Sequence, residues 1–566
     1  MPLDDLIDRH RDLLTQARTA IGARTFFSAY PESPSPRVYG ETAAGEGTAA
    51  YEARLGTEWA LPTPGARGQV ATERSPFGPE LGVRYPRLPA DADAVGTLMS
   101  AAGAAMPAWR RTGVDGRSAV CLEILARLHE RIFELAHAVM HTSGQAFVMA
   151  FQAGGAHALD RALEAVAYAY AEQERMPASV EWEKASKRET QRMSKAFHVV
   201  PRGVALVVGC NTFPTWNSWP GLFASLATGN AVVVKPHPRA VLPLAITVEV
   251  AREVLTERGF DPNLVTLAAE DPADGLAAVL AVRPEVRIVD FTGSSAFGRW
   301  LEDNATQAAV FTEKTGLNTV VVDSTDDIDG LTANLAFSLS LYTGQMCTAP
   351  QNIYLPRGGI DTDRGRLSFD EFGAALAAAV RDLLADDTRA VEILGGVVSD
   401  VVRDRVDATA GRSDLVLASR AIEHPAWPDA TVRTPAIVAL DAGTAGGSGD
   451  AAEYTSECFG PVSFLIGTDS TAESIERLST TVHQHGAMTA SVYSTDPAVL
   501  DAVEEAAVDA GVALSVNLTD GVYVNQTSAF SDLHGTGANP AANSCFTDAA
   551  FVTPRFRFVA TRRHLP

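Results

Sequence analysis

Val204-Ala-Leu-Val-Val-Gly-Cys-Asn-Thr-Phe-Pro-Thr-Trp-Asn217 is the stretch on which the reading of this chain turns. Five apolar residues, mostly β-branched, run without polar alternation and stop at Gly209. Such a run reads as a strand covered on both faces, the pattern of a parallel sheet. Four more runs share it: Ala231-Val-Val-Val, Leu264-Val-Thr-Leu, Val286-Arg-Ile-Val-Asp-Phe and Thr319-Val-Val-Val. Helical periodicity separates most of them, as over 242–258 and 273–282. Short apolar strands alternating with helices predict a doubly covered α/β sheet.

Downstream, a second set of strands and helices begins at Asn352-Ile-Tyr-Leu and continues to Gly511-Val-Ala-Leu-Ser-Val-Asn, which predicts a second α/β lobe. Upstream, residues 91–178 carry apolar positions at intervals of three and four and read as helices. Residues 1–90 begin with an amphipathic helix around Leu3, Leu6 and Ile7 and continue in loops rich in Pro, Gly and Ala. A cluster of Gly443, Gly446, Gly447 and Gly449 predicts a surface loop.

The 566 residues exceed one ordinary core. Hydrophobic residues make up 46% and charged residues 20%, a globular balance. The net charge of −23 argues against nucleic acid, which needs a basic footprint. The five cysteines are scattered and form no Cys-x-x-Cys pair, which disfavours a disulfide framework and fits a reducing cytoplasm. No secretory signal and no run of about 18 apolar residues is present, so no membrane span is expected. The histidines show no metal-binding spacing, and no metal site is expected.

Several residues can carry chemistry. Cys347, in Gly344-Gln-Met-Cys, sits at a glycine-punctuated turn where a thiol can be exposed in a cleft; alone, it reads as readily as a small buried hydrophobe. Glu313, in Thr312-Glu-Lys-Thr-Gly-Leu-Asn, lies just before a strand and can act as a general base on water; alone, it reads as a loop carboxylate paired with Lys314. Asn211, after the first strand, can aim an amide at an oxyanion or simply terminate the strand. Ala227-Thr-Gly-Asn leads through a buried strand to Lys235. Phe291-Thr-Gly-Ser is a strand, a turn and a helix start, an arrangement that offers backbone N–H groups to a phosphate. Ser456-Glu-Cys-Phe-Gly-Pro-Val is the last motif.

Taken together, these motifs resemble the aldehyde dehydrogenase superfamily over about residues 100–530. The family sets its general-base Glu thirty-four positions before its Gly-Gln-x-Cys nucleophile, the separation of Glu313 from Cys347. The remaining motifs follow in family order. The resemblance implies Cys347 as nucleophile, Asn211 as oxyanion donor and Glu313 as activator of the water that hydrolyses a thioester. It implies that Lys235, Gly293, Ser294, Glu457 and Phe459 hold NAD or NADP. It implies a Rossmann-type cofactor lobe over 91–312, an α/β catalytic lobe over 313–529, and a small bridging element for oligomerisation from about 183–202 and from 530–566. Residues 1–90 are an N-terminal extension, and a homodimer or homotetramer is expected.

Three departures from the family pattern matter. Asn211-Thr-Phe-Pro is one residue longer than the usual Asn-Phe-Pro; counted back from Asn230, the usual position is Thr212, and Asn217 is a second candidate. Glu313-Lys-Thr-Gly-Leu-Asn keeps only the Glu and one Gly. The acidic residue that often follows Lys-Pro is missing from Lys235-Pro-His-Pro-Arg, so His237 or Arg239 is free to pair with a 2′-phosphate, and NADP is favoured over NAD. The N-terminal part and the end Phe530-Ser-Asp-Leu-His-Gly-Thr-Gly resemble the PaaN branch of phenylacetic acid degradation proteins. That branch implies an aldehyde of aromatic catabolism, CoA-linked in its ring-opening relatives. The basic cluster Lys184, Lys187, Arg188, Arg192 and Lys195 reads as an exposed hairpin or as a CoA entrance. A CoA-acylating enzyme and a non-catalytic scaffold are the alternatives; the retained Glu313 argues against the first.

Overall fold

The computed structural model describes residues 3–185, 187, 189–443 and 451–565, the side chains of 451 and 452 excepted. Arg188 of the basic cluster and Gly446, Gly447 and Gly449 of the expected surface loop lie outside the described residues. Among the described residues, no helix is long and apolar enough to cross a membrane.

An antiparallel hairpin, β1 (Ser179–Ala185) and β2 (Thr190–Pro201), leads into five parallel strands: β3 (Val204–Val208), β4 (Val232–Lys235), β5 (Val265–Leu267), β6 (Val286–Thr292) and β7 (Ala309–Glu313). Their order is β5-β4-β3-β6-β7. All five residues of β3 and all four of β4 are buried, as unalternating apolar runs require. The chain direction across the sheet reverses between β3 and β6, and such a switch point opens a crevice at the strands' carboxyl ends.

The second sheet contains β8 (Thr319–Val322), β9 (Asn352–Pro356), β10 (Leu415–Leu417), β11 (Ala436–Asp441), β12 (Val462–Thr468), β13 (Thr489–Tyr493) and β14 (Ala513–Val516). Its order is β10-β11-β12-β9-β8-β13-β14, parallel except where β10 meets β11. Separate apolar clusters fill the two sheets' surroundings, as expected when one core cannot grow large enough. The last strand, β15 (Phe556–Leu565), pairs antiparallel with β2.

The N-terminal part is firmly seated. Helix α1 (Asp4–Ala23) lies against α2 (Gly113–Glu130), where Arg9 and His10 both reach Glu123 at 2.9 Å. Beyond it, α3 (Ile132–Ser143) ends at Gly144, and α4 (His157–Glu174) is preceded by a π-helical turn over Gln152–Ala156. Single π turns of this kind recur at functional sites.

Two expectations need correction. Glu313 does precede β8 of the second sheet, but it does not lie in a loop; it is itself the last residue of β7, an edge strand of the first sheet. The run Ala309-Val-Phe-Thr is short and half-exposed at its start, so its apolar signal is weak. Residues 530–566 are not all strand: only Phe556–Leu565 is extended, and 530–548 form an irregular segment. Gly535, Gly537, Asn539 and Pro540 interrupt any ladder there, and both glycines have positive φ.

Candidate active site

Helix α7 (Ile328–Ser340) aims at the crevice and stops in a tight turn over Leu341–Gly344. Tyr342 and Thr343 are held at φ 52° and 54°, a left-handed conformation that β-branched Thr strongly disfavours. Their side chains keep them there: the Tyr342 hydroxyl donates to Ser143 O, and Thr343 Oγ1 donates to Leu394 O at 2.7 Å. Gly344 completes the turn, and a Cβ on it would collide with Gly460 O. This turn presents Cys347, half-buried, between two cavities. Asn318 fixes the far side, donating to Cys347 O at 2.7 Å and Ala349 O at 2.9 Å.

Burial pushes the Cys347 thiol well above its usual range, and the neighbouring Glu313 charge adds to this. The sulfur borders both cavities. The thiol still requires a base to become the nucleophilic thiolate.

Glu313, 1% exposed, stands at the carboxyl end of β7. Its Oε2 accepts from Asn217 Nδ2 at 2.8 Å and from Thr292 Oγ1 at 3.5 Å. Its Oε1 lies 3.1 Å from His534 Nε2. Burial favours the neutral acid, but the His534 charge and the hydrogen bonds around the carboxylate outweigh it and hold the group below its usual value.

Asn211 lines the cavity shared with Cys347 and Glu313, but its amide is committed elsewhere. Its Nδ2 donates to Thr142 O at 2.9 Å, at the end of α3. The extra residue in Asn-Thr-Phe-Pro moves Asn211 back along the loop. Asn217, on the first turn of α5 (Pro214–Ala227), lines both cavities and supplies the amide that reaches Glu313. Its second N–H is open to another acceptor.

One cavity, of about 610 Å3, has apolar and aromatic walls that include Phe27, Phe213, Trp216, Phe337, Leu341 and Met346. Its ionisable lining residues are Glu32, His157, Asp160 and His534 besides Cys347; no lysine or arginine is among them. Tyr30 and Ser28, from the N-terminal extension, form part of its wall, and Ser28 Oγ donates to Asp160 at 2.6 Å.

The other cavity, of about 630 Å3, lies beside the sheet's switch point. Gly293, Ser294, Glu457 and Phe459 all line it. Ser294 caps helix α6 (Ser295–Asn304), whose N-terminus faces an anion favourably. Burial pushes the Glu457 carboxyl up to about 7. A helix N-terminus for phosphates and a carboxyl group for ribose hydroxyls fit a dinucleotide. Lys235 sits apart from this lining, 5% exposed and ion-paired with Glu270. The missing acid after Lys-Pro is therefore matched by a carboxylate from the end of the neighbouring strand, β5. His237 is pushed down to about 4, by burial first and then by Lys235 and Arg239, and is neutral at physiological pH.

Trp216 and Phe213, candidate pocket residues from the sequence, do line the apolar cavity, whereas Asn318 and His534 were passed over as parts of the site. Asn318 was visible in the Glu313-Lys-Thr-Gly-Leu-Asn motif; His534 stood inside the quoted Phe530-Ser-Asp-Leu-His-Gly-Thr-Gly stretch but was given no role there. Glu313, Cys347 and His534 bring donor atoms within 4.8 Å of one another, a set that can also hold a metal ion.

The aldehyde dehydrogenase family model matches residues 73–531. The crystal structure of an NAD-dependent aldehyde dehydrogenase from Burkholderia multivorans is 53% identical, with a TM-score of 0.95 and 99% of each chain covered. Among curated relatives, N-succinylglutamate 5-semialdehyde dehydrogenase of Burkholderia cenocepacia is 28% identical over 306 residues, covering 53% of this chain and 58% of the relative. The enzyme of the same name from Burkholderia lata is 26% identical over 424 residues, covering 73% and 79%. The fold around the crevice and the match over most of the chain lead to one conclusion: the chain belongs to the aldehyde dehydrogenase family.

Proposed function

We propose that this chain oxidises an uncharged aromatic or aliphatic aldehyde to its carboxylic acid with a nicotinamide dinucleotide, through a thioester on Cys347. The observation that carries this reading is the convergence of Cys347, Glu313 and Asn217 where the two cavities meet. Cys347 Sγ attacks the aldehyde carbon. The free N–H of Asn217 receives the oxyanion, the role first expected of Asn211. The bound dinucleotide supplies an acceptor for the two electrons and the hydrogen that leave the aldehyde carbon. Glu313, held ionised, then takes a proton from the water that hydrolyses the thioester, so two easier steps replace one difficult one. Gly293, Ser294, Glu457 and Phe459 position the cofactor.

The lining supports the substrate class. Aromatic walls suit an apolar aldehyde, phenylacetaldehyde being one. The anionic semialdehydes in the relatives' names would meet no lysine or arginine among the lining residues. The same absence weighs against a CoA-linked semialdehyde; such compounds stay in the test panel because the sequence motifs suggested a phenylacetic acid degradation branch. For the cofactor we favour NAD. Glu270 places a carboxylate beside Lys235, His237 is neutral, and the 53% identical relative is named as NAD-dependent. The exposed sheet of β1, β2 and β15 is the surface through which copies of the chain would pair.

The test is reduced-cofactor formation with NAD and NADP in parallel against aromatic, aliphatic, anionic and CoA-linked aldehydes, with and without free CoA. Free acid from an uncharged aldehyde, lost in Cys347→Ala, is the expected result. Acyl-CoA as main product, or turnover surviving in Cys347→Ala, overturns the reading.

A further inference from the structure

Residues 530–548 form neither helix nor strand, yet they are pinned to the end of β7. Lys314 N donates to Ala541 O at 2.6 Å, and Asn543 N donates to Thr312 O at 3.1 Å. Asn543 Oδ1 accepts from Thr312 N at 2.8 Å. This clamp holds His534, 3% exposed, beside the Glu313 carboxylate. The Trp216 ring meets the imidazole edge to face at 4.3 Å and fixes its plane. His534 Nε2 then stands 3.9 Å from Cys347 Sγ and 3.1 Å from Glu313 Oε1.

The arrangement is unfinished in one respect. His534 Nδ1 and Glu313 Oε1 are buried without a hydrogen-bond partner, although Nε2 lies 3.1 Å from Oε1. A buried polar atom left so costs about 1–3 kcal/mol. Such a cost kept between a thiol and a carboxylate points to a proton in transit.

Resting on the thioester reading of Cys347, we propose that His534 is a catalytic base: Nε2 takes the proton from Cys347 Sγ as the sulfur attacks, and Glu313 holds the imidazolium that results. The sulfur electron pair released by this transfer forms the bond to the aldehyde carbon, and the carbonyl π pair moves onto oxygen as the oxyanion. A dinucleotide held by Gly293, Ser294, Glu457 and Phe459 would accept the carbon's C–H electron pair, leaving the oxygen pair to complete the thioester. The imidazolium proton then passes to solvent, so each turnover releases one reduced dinucleotide and the proton taken from the thiol. Glu313 serves twice, first as the counter-charge to His534 and then as base on water.

The ionisable groups around the pair are Arg161 behind Trp216, Asp160 on α4 across the cavity, Cys210 after β3 and Glu457 on the cofactor side. Each is retained in the variants below, so their contributions are common to every profile compared.

The experiment measures alkylation of Cys347 by iodoacetamide against pH, read by mass spectrometry of the Cys347 peptide. Full-length unmodified protein, His534→Gln and His534→Asn are compared. Pre-steady-state bursts of reduced cofactor are recorded on the same samples and on Glu313→Gln. If His534 is the base, both His534 variants alkylate about 100-fold more slowly near neutral pH and regain speed at alkaline pH, within the usual range for a general base. Their burst slows in parallel, whereas Glu313→Gln, which loses the counter-charge but keeps the base, slows its burst less and stalls after it. Alkylation profiles of the folded variants that superimpose on the unmodified protein overturn the proposal. Two variants are used so that a misfolded one does not decide the matter. Alkylation needs no aldehyde, so a chain with a His534-dependent thiolate and no activity on any aldehyde overturns the dehydrogenase reading and leaves only the proton transfer from Cys347 to His534.

Discussion

Asn217 Nδ2 donates to Glu313 Oε2 across 2.8 Å, tying the helix after β3 to the last residue of β7. One amide thereby orients the carboxylate and keeps a second N–H for an oxyanion. Asn217→Ala removes both. We expect kcat to fall about 10²–10³-fold, the usual consequence of losing one such donor, with KM changing far less. Asn211→Ala, whose amide serves Thr142 instead, is expected to lose much less. Steady-state kinetics of the two variants distinguish the roles; equal losses would return the oxyanion to Asn211.

A second prediction concerns stability. Arg555 grips Asp290 through two bonds, 2.6 and 2.8 Å long, in a site where both side chains are almost fully buried. It also donates to Ser225 Oγ at 2.7 Å, joining the C-terminal segment to the first sheet and to α5. Arg555→Met leaves the Asp290 carboxylate buried and uncompensated, at a cost of about 3–5 kcal/mol. Adding Asp290→Asn recovers part of that loss. Urea denaturation of the single and double variants measures both numbers, and an additive double variant would refute the coupling.

Cofactor choice follows from Lys235 and Glu270. A 2′-phosphate placed beside the Glu270 carboxylate brings like charges together, which costs several kcal/mol. Glu270→Gln is expected to narrow the ratio of kcat/KM for NAD over NADP by about tenfold or more, a change near ~1.4 kcal/mol. Side-by-side titrations of the two cofactors check it. An unchanged ratio would mean that Glu270 does not face the ribose.

The pH dependence of stability has a definite sign at Glu457. Burial raises its carboxyl from 4.5 to about 7, opposed by the Gly316 N–H and Arg405 and helped by Glu313. The folded protein thus prefers the protonated acid. The stability this contributes is complete below 4.5 and is lost as pH rises through about 7. Glu457→Gln keeps a neutral side chain throughout and is expected to flatten the fall in Tm across that window. Glu73 and Asp160, raised to about 7 and about 6, push in the same direction, so the readout is the difference between variant and unmodified protein.

Much was legible along the chain. The runs at Val204, Ala231, Val286 and Thr319 became buried strands within a residue or two, because an unalternating β-branched run has few ways to hide both faces other than a covered parallel sheet. Cys347 and Glu313 were identified through spacing, and Gly293, Ser294, Glu457 and Phe459 through local motifs; the fold lines one cavity with all six. The strand at 309–313 was missed because an edge strand with a half-exposed start carries little apolar signal.

What the sequence by itself determined is the alternation of strand and helix and the turn chemistry that exposes each functional residue at a strand end, both local properties of backbone and side chain. Only the tertiary structure decided which residues meet. Asn211 and Asn217 are six positions apart in similar surroundings, and one inserted residue decided which amide reaches Glu313. Lys235 found its carboxylate in Glu270 on the next strand, and Cys347 found an imidazole 187 residues away. Such meetings depend on strand order and on how a loop crosses a sheet edge. No period or propensity records either, because both are set by the packing of distant segments around a shared core.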